Sequence, residues 1–172
     1  AQGRLEEVWK IRSSLLGEAH PLAREAFTAL AEAWTRPGDS CVTAERHARQ
    51  LLELDRATGL ENSVSGATHL QILGQALKLQ KRFDEAEEAL HSALEIYRAQ
   101  LGEDDLRVLG AERELLRVAY SRGDLAFAER GFRQLLDELV RLHGPDHAYV
   151  GLVWYDLGLV LTHDGPGSFG GR

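Results

Sequence analysis

The sequence predicts an all-α fold, a right-handed α-α superhelical solenoid of stacked helix hairpins. Three observations lead there. Leu occurs 29 times and Ala 21 times, against 12 for Val and Ile together. Leu and Ala favour helices, whereas β-branched residues favour strands. The chain also repeats itself. Gly17, Gly59, Gly102 and Gly144 are separated by 42, 43 and 42 residues. Each period, finally, holds two amphipathic helical segments joined by a turn, and such a pair buries its apolar faces only against neighbouring pairs.

The elements follow in order. The chain opens inside a second-type helix, Leu5 to Leu16. First-type helices are predicted at Pro21 to Thr35, Val64 to Leu79, Leu106 to Ser121 and Ala148 to Thr162. Second-type helices are predicted at Ser40 to Thr58, Asp84 to Leu101 and Asp124 to Leu142. The pairs Ala44-Glu45, Ala86-Glu87 and Ala128-Glu129 recur at intervals of 42, each followed by Leu52, Leu94 or Leu136. A third marker runs Ala31, Gly74, Leu116 and Gly158. The turns read Arg36-Pro37-Gly38-Asp39, Gln80-Lys81-Arg82-Phe83 and Ser121-Arg122-Gly123-Asp124. Gly stops a helix in the left-handed conformation, and a following Asp caps the next. Asp39 or Ser40, Asp84 and Asp124 fit that capping role. Lys81 stands where the other turns have Gly, so that turn is expected to be slightly strained or differently shaped. The organisation is thus an array over 1–164: a half repeat 5–17, repeats 18–59, 60–102 and 103–144, and a half repeat 145–164. The Gly-rich 165–172 reads as a flexible tail. A chain without Met that starts and stops mid-repeat reads as a window on a longer array.

The junctions carry a resemblance. They read Leu16-Gly17-Glu18-Ala19-His20-Pro21, Leu101-Gly102-Glu103-Asp104-Asp105 and His143-Gly144-Pro145-Asp146-His147. With the segment Arg82-Phe83-Asp84-Glu85-Ala86-Glu87-Glu88-Ala89-Leu90, they resemble the tetratricopeptide repeats of the kinesin-light-chain type. The second repeat departs from the pattern, with Asn62-Ser63-Val64 in place of His-Pro. The period exceeds the ~34 residues common in the wider family. The resemblance spans about residues 5 to 164 and implies a non-catalytic protein–protein interaction module. It implies that first helices line a concave groove and second helices the outer face. It is also similar to arrays attached to bacterial signalling proteins, and a bacterial source agrees with 17 Arg against 3 Lys. A scaffold or regulatory role in the cytoplasm is the corresponding expectation.

Counting from the small-residue marker, positions six and three before it and one and four after it face the groove. These are Glu25, Thr28, Glu32 and Thr35, then Thr68, Gln71, Gln75 and Lys78. The third set is Gly110, Arg113, Arg117 and Tyr120, and the last is Leu152, Tyr155, Leu159 and Thr162. The peptide-binding residues expected are Glu25, Thr28, Glu32, Thr68, Gln71, Gln75, Lys78, Arg113, Arg117, Tyr120 and Tyr155. Lys78, Arg113 and Arg117 suit an acidic partner, because Arg forks onto carboxylates. The amides suit a peptide backbone, and the tyrosines suit rigid aromatic contacts. The competing reading gives Arg113 and Arg117 ordinary ion pairs with Glu112, Glu114 or neighbouring helices.

Other chemistry is set aside. A net charge of -7 disfavours nonspecific nucleic-acid binding, which needs cations to displace phosphate counterions. One cysteine, Cys41, excludes an internal disulfide and a thiolate zinc cluster. His143 and His147 have a metal-ligand spacing, but Gly144-Pro145 between them breaks a shared helix face. No phosphate loop or nucleophile elbow is present. No cofactor, metal or catalytic residue is expected. The longest apolar stretch, Val150 to Leu161, is 12 residues and contains Asp156, too short for a membrane span. Being apolar nearly all round, it needs cover on most faces. Either a following helix covers it, leaving Trp154 and Val160 partly exposed here, or the Trp154 helix self-associates. Self-assembly through that helix is the alternative function.

Overall fold

The computed structural model describes residues 2–35 and 41–162. Among them are eight α-helices: α1 (Gln2–Leu16), α2 (Pro21–Ala33), α3 (Cys41–Thr58), α4 (Val64–Leu79), α5 (Phe83–Leu101), α6 (Leu106–Arg122), α7 (Leu125–His143) and α8 (Ala148–Leu161). The all-α repeat architecture is therefore as the sequence predicts, with boundaries shifted by a few residues. The turn 36–39, Ser40 and the segment 165–172 lie outside the described residues. The chain divides into two compact units, 1–96 and 97–172, and each is described by itself.

In the first unit α2 packs on α1 and α3, and α3 packs on α4. The core is built from Ala and Leu at helix-period spacing: Ala23, Ala26, Phe27 and Leu30 of α2, Ala44, Ala48 and Leu51 of α3, and Ile72, Ala76 and Leu77 of α4 are buried. Trp9 of α1 stacks on Phe27 at 4.7 Å, and His47 of α3 tilts against the same ring at 5.1 Å. Gly74, the small-residue marker, lets α5 approach α4. A Cβ there would lie 2.6 Å from Leu90 Cγ and 3.2 Å from the Ala86 carbonyl. In the second unit α7 packs on α6 and α8 around Leu109, Phe132, Leu135, Leu139, Val153 and Leu157.

The caps differ from expectation. Asp84 does not precede its helix but sits in the first turn of α5, where its charge favours the helix dipole. Asp124 holds the cap position of α7 without a side-chain capping hydrogen bond. Side-chain capping instead marks the first helices. The backbone N–H groups of Leu22, Gly66, Arg107 and Tyr149 donate to the side chains of His20, Ser63, Asp105 and His147. The departure at Asn62-Ser63-Val64 is thus a conservative one, because Ser63 does the work that His20 does elsewhere.

Lys81 takes the left-handed conformation, φ 61°, in place of glycine. It closes α4 as Gly123 closes α6. The Arg82 N–H reaches the Leu77 carbonyl at 3.0 Å, and the Asp124 N–H reaches Ala119 at 2.9 Å. Both are Schellman closures, and only one carries the residue suited to it. In α8, Val160 is buried, contrary to expectation, whereas Trp154 is 57% exposed. The difference is one of helix face: Val150, Val153, Leu157 and Val160 turn to the core at three- and four-residue spacing, and Trp154 does not.

Candidate partner-binding surface

In the first unit the expected first-helix positions do converge. Glu25, Thr28 and Glu32 of α2 and Thr68 of α4 line one cavity of about 590 Å³, together with Arg24 and His69. Glu25 and Glu32 are two helical turns apart, which puts both on one face. Beneath them lies a buried polar chain that the sequence reading missed. Arg24 pairs with Asp55 of α3, and its other guanidinium nitrogen donates to Thr58 Oγ1 at 3.0 Å. His69 Nδ1 meets the second Asp55 oxygen at 2.7 Å, and His69 Nε2 meets Thr28 Oγ1 at 2.8 Å. Arg24 is 6% exposed, and Asp55 and His69 are fully buried. Such a chain is tolerable only when every member is partnered.

The signal for this chain was present. Arg24 interrupts an alanine-rich run, and Asp55 follows Leu51, Leu52 and Leu54. His69 stands five before its marker, where the other repeats have Ala26, Ala111 and Val153. Ionisable residues at core positions each need a partner, and the structure shows that these three supply it to one another. The remaining first-unit positions are less open: Gln71 and Gln75 are half-buried and Lys78 is buried. Burial pushes the Glu32 carboxyl above the usual carboxylate range, the nearby His69 opposing this in part.

In the second unit the two arginines have partners. Arg113 Nε donates to Asp156 Oδ2 at 2.5 Å. Arg117 Nη1 donates to Glu114 Oε1 at 2.8 Å, and its Nε lies 3.7 Å from Asp156. Arg113 also lies over the Tyr149 ring, 5.7 Å from its centroid. Gly110 makes room for that ring: a Cβ there would lie 3.0 Å from the Tyr149 hydroxyl. Burial opposes the Arg113 charge, but Asp156 outweighs it and raises its pKa. A lone aspartate in an otherwise apolar helix needs a cation, and Asp156 finds this one. Tyr120 packs against the core of the unit, whereas Tyr155 is 65% exposed.

His147 spends its Nδ1 on the cap of α8, and its ring lies 5.1 Å from that of His143. No group of three or more His, Cys, Asp or Glu side chains among the described residues could hold a metal ion. No helix among them is long and apolar enough to cross a membrane.

Residues 64–137 match the tetratricopeptide repeat family model. Among solved structures, the chain resembles BtubC (BKLC) from P. vanneervenii, with 24% identity and a TM-score of 0.76 over 95% of the chain. It spans 66% of that protein's length. It also resembles two structures of a putative kinesin light chain with nearly identical TPR-like repeats from Podosopora anserina. Both are 20% identical over 97% of the chain, with TM-scores of 0.70 and 0.68, and the chain covers 78% and 79% of their lengths. At such identities the likeness speaks for the fold. No curated protein matches the chain.

Proposed function

We propose that this chain, a tetratricopeptide-repeat protein and so a protein–protein interaction module, holds a peptide segment of its partner on its first-helix face. One observation carries the reading. Residues of two successive first helices, Glu25, Thr28, Glu32 and Thr68, open onto a single cavity of about 590 Å³. That volume lies within the range of binding pockets, roughly 300–1,000 Å³. The module acts without chemistry of its own, as a scaffold or regulatory part of a larger bacterial signalling protein in the cytoplasm.

Two substitutions test the site. Thr68→Arg fills the cavity, and Glu88→Lys alters an exposed residue of the second-helix face. Partner recovery from host extract is expected to fall at least about tenfold with the first and to hold with the second. Equal recovery by both removes the first-helix reading. Preference for an acidic partner rests on Arg117, whose side chain is 39% exposed. Reversing Arg113 and Arg117 to Glu tests it, and unchanged affinity for every partner removes it.

Self-assembly remains the second reading, favoured by the exposure of Trp154, Tyr155 and Leu152 on α8. Large exposed apolar patches mark interfaces. A strict monomer by sedimentation across all concentrations ends that reading.

A further inference from the structure

We infer that the cavity between α2 and α4 is a pocket for a basic side chain, lysine or arginine, of the bound partner segment, with Glu25 and Glu32 as its counter-charges. The inference rests on the first-helix reading above and gives that site a chemistry. It follows from charge complementarity. The cation at the cavity floor, Arg24, is already matched by Asp55. His69 is committed at both ring nitrogens, Nδ1 facing Asp55 and Nε2 facing the Thr28 hydroxyl, which also donates to the Arg24 carbonyl. The polar groups of the floor are therefore already engaged with one another.

The rim is different. Glu25 has one loose ion pair, with Arg12 at 3.7 Å. Glu32 has no cation within 4 Å among the described residues. Glu32 is exposed as a residue, but partial desolvation of its carboxyl raises its pKa against a weaker pull from His69, and a docked cation would lower it. The walls between rim and floor include Pro21, Ala29 and Leu60. Apolar walls beneath a carboxylate rim suit an aliphatic stem with a cationic head, as long basic side chains bury their methylenes and keep the head at a polar edge. An acidic side chain would meet the two rim carboxylates.

The test uses the whole chain, 15N-labelled, titrated with three acetylated and amidated heptapeptides. Their common frame is Gly-Ser-Ala-Xaa-Ala-Ser-Gly, with arginine, norleucine or glutamate at the centre. The arginine peptide is expected to shift the amides of Thr28, Glu32 and Thr68, and to bind about tenfold more tightly than the other two. Glu25→Gln together with Glu32→Gln is expected to abolish that margin, since glutamine keeps the size and removes the charge. Equal binding by the norleucine peptide at these amides overturns the basic pocket but leaves the first-helix groove standing. Arginine-peptide shifts that survive the double substitution, or no shift at these amides, overturn it too. The groove itself is judged separately by the Thr68→Arg recovery. Should the double variant misfold, the three-peptide comparison on the native chain decides alone.

Discussion

At the scale of single residues, packing between first and second helices is a matched exchange of volume. In the first unit the marker position is Gly74, and Leu90 of α5 fills the space it leaves. In the second unit the marker is Leu116, and Gly131 of α7 makes room for it. A Cβ at Gly131 would overlap Leu116 Cδ2 and lie 3.2 Å from its Cγ. Gly131→Ala alone is therefore expected to cost about 1–3 kcal/mol by overpacking. Leu116→Ala alone is expected to cost about 2–5 kcal/mol, because it leaves a hole. The double variant is expected to cost less than the sum, with a coupling of about 1–2 kcal/mol, as the new methyl occupies part of that hole. Urea denaturation of the four proteins measures it, and strict additivity sinks the exchange. Lys81 offers the opposite case. Its left-handed backbone costs about 1–2 kcal/mol that glycine avoids, less glycine's own entropic cost. Lys81→Gly should therefore raise stability by up to about 1 kcal/mol, and a lower melting temperature contradicts this.

At the scale of helices, α1, α2 and α3 meet through one ring cluster, Trp9, Phe27 and His47. Burial, and then Arg46, hold the His47 pKa below its ordinary 6.5, with Glu6 opposing. His47 Nδ1 is buried and has no partner among the described residues. A depressed pKa means that the unfolded chain takes up the proton first. The stability contributed is thus whole above about pH 6.5 and lost as pH falls through the folded value. His47→Phe should flatten the fall in unfolding free energy between about pH 7.5 and 5.5 relative to the native chain, by a few tenths to about 1 kcal/mol. Parallel pH profiles for the two proteins would remove His47 from the acid response. Helices α2, α3, α5 and α7 were readable because their apolar period is strong over 13 to 19 residues, whereas α8, apolar nearly all round, was placed by the 42-residue repeat. The caps were less so. Gly-Asp turns look like capping signals, yet Asp124 makes no side-chain capping hydrogen bond, while His20 and His147 do. Histidine caps only through its ring nitrogen, which propensity rankings overlook. The site was half readable for a similar reason. Helical offset placed Glu25, Thr28, Glu32 and Thr68 together. Offset says nothing of partners on other helices, so Asp55 beneath Arg24 and Asp156 beside Arg113 emerged only in three dimensions.

At the scale of the whole molecule, stability is a sum over neighbours. Within each unit, contacts among the described residues join helices adjacent in sequence or next but one: α1 with α2, α2 with α3 and α4, α3 with α4, α4 with α5, α6 with α7 and α8, and α7 with α8. An array of this kind behaves as a chain of local couplings, in which damage stays near its source. The buried chain of Arg24, Asp55, His69 and Thr28 ties α2, α3 and α4 together within the first unit. Asp55→Ala leaves Arg24 buried without its counter-charge, and breaking such a pair costs about 3–5 kcal/mol. In a single cooperative unit that loss would appear at every protected amide. In a neighbour-coupled array it appears in α2, α3 and α4, while α6, α7 and α8 keep most of their protection. Amide hydrogen exchange on the variant and the native chain separates the two. Protection lost by a similar factor in α7 and in α3 would show that the repeats unfold together, and that the energetic unit is larger than the helix neighbours joined by Asp55.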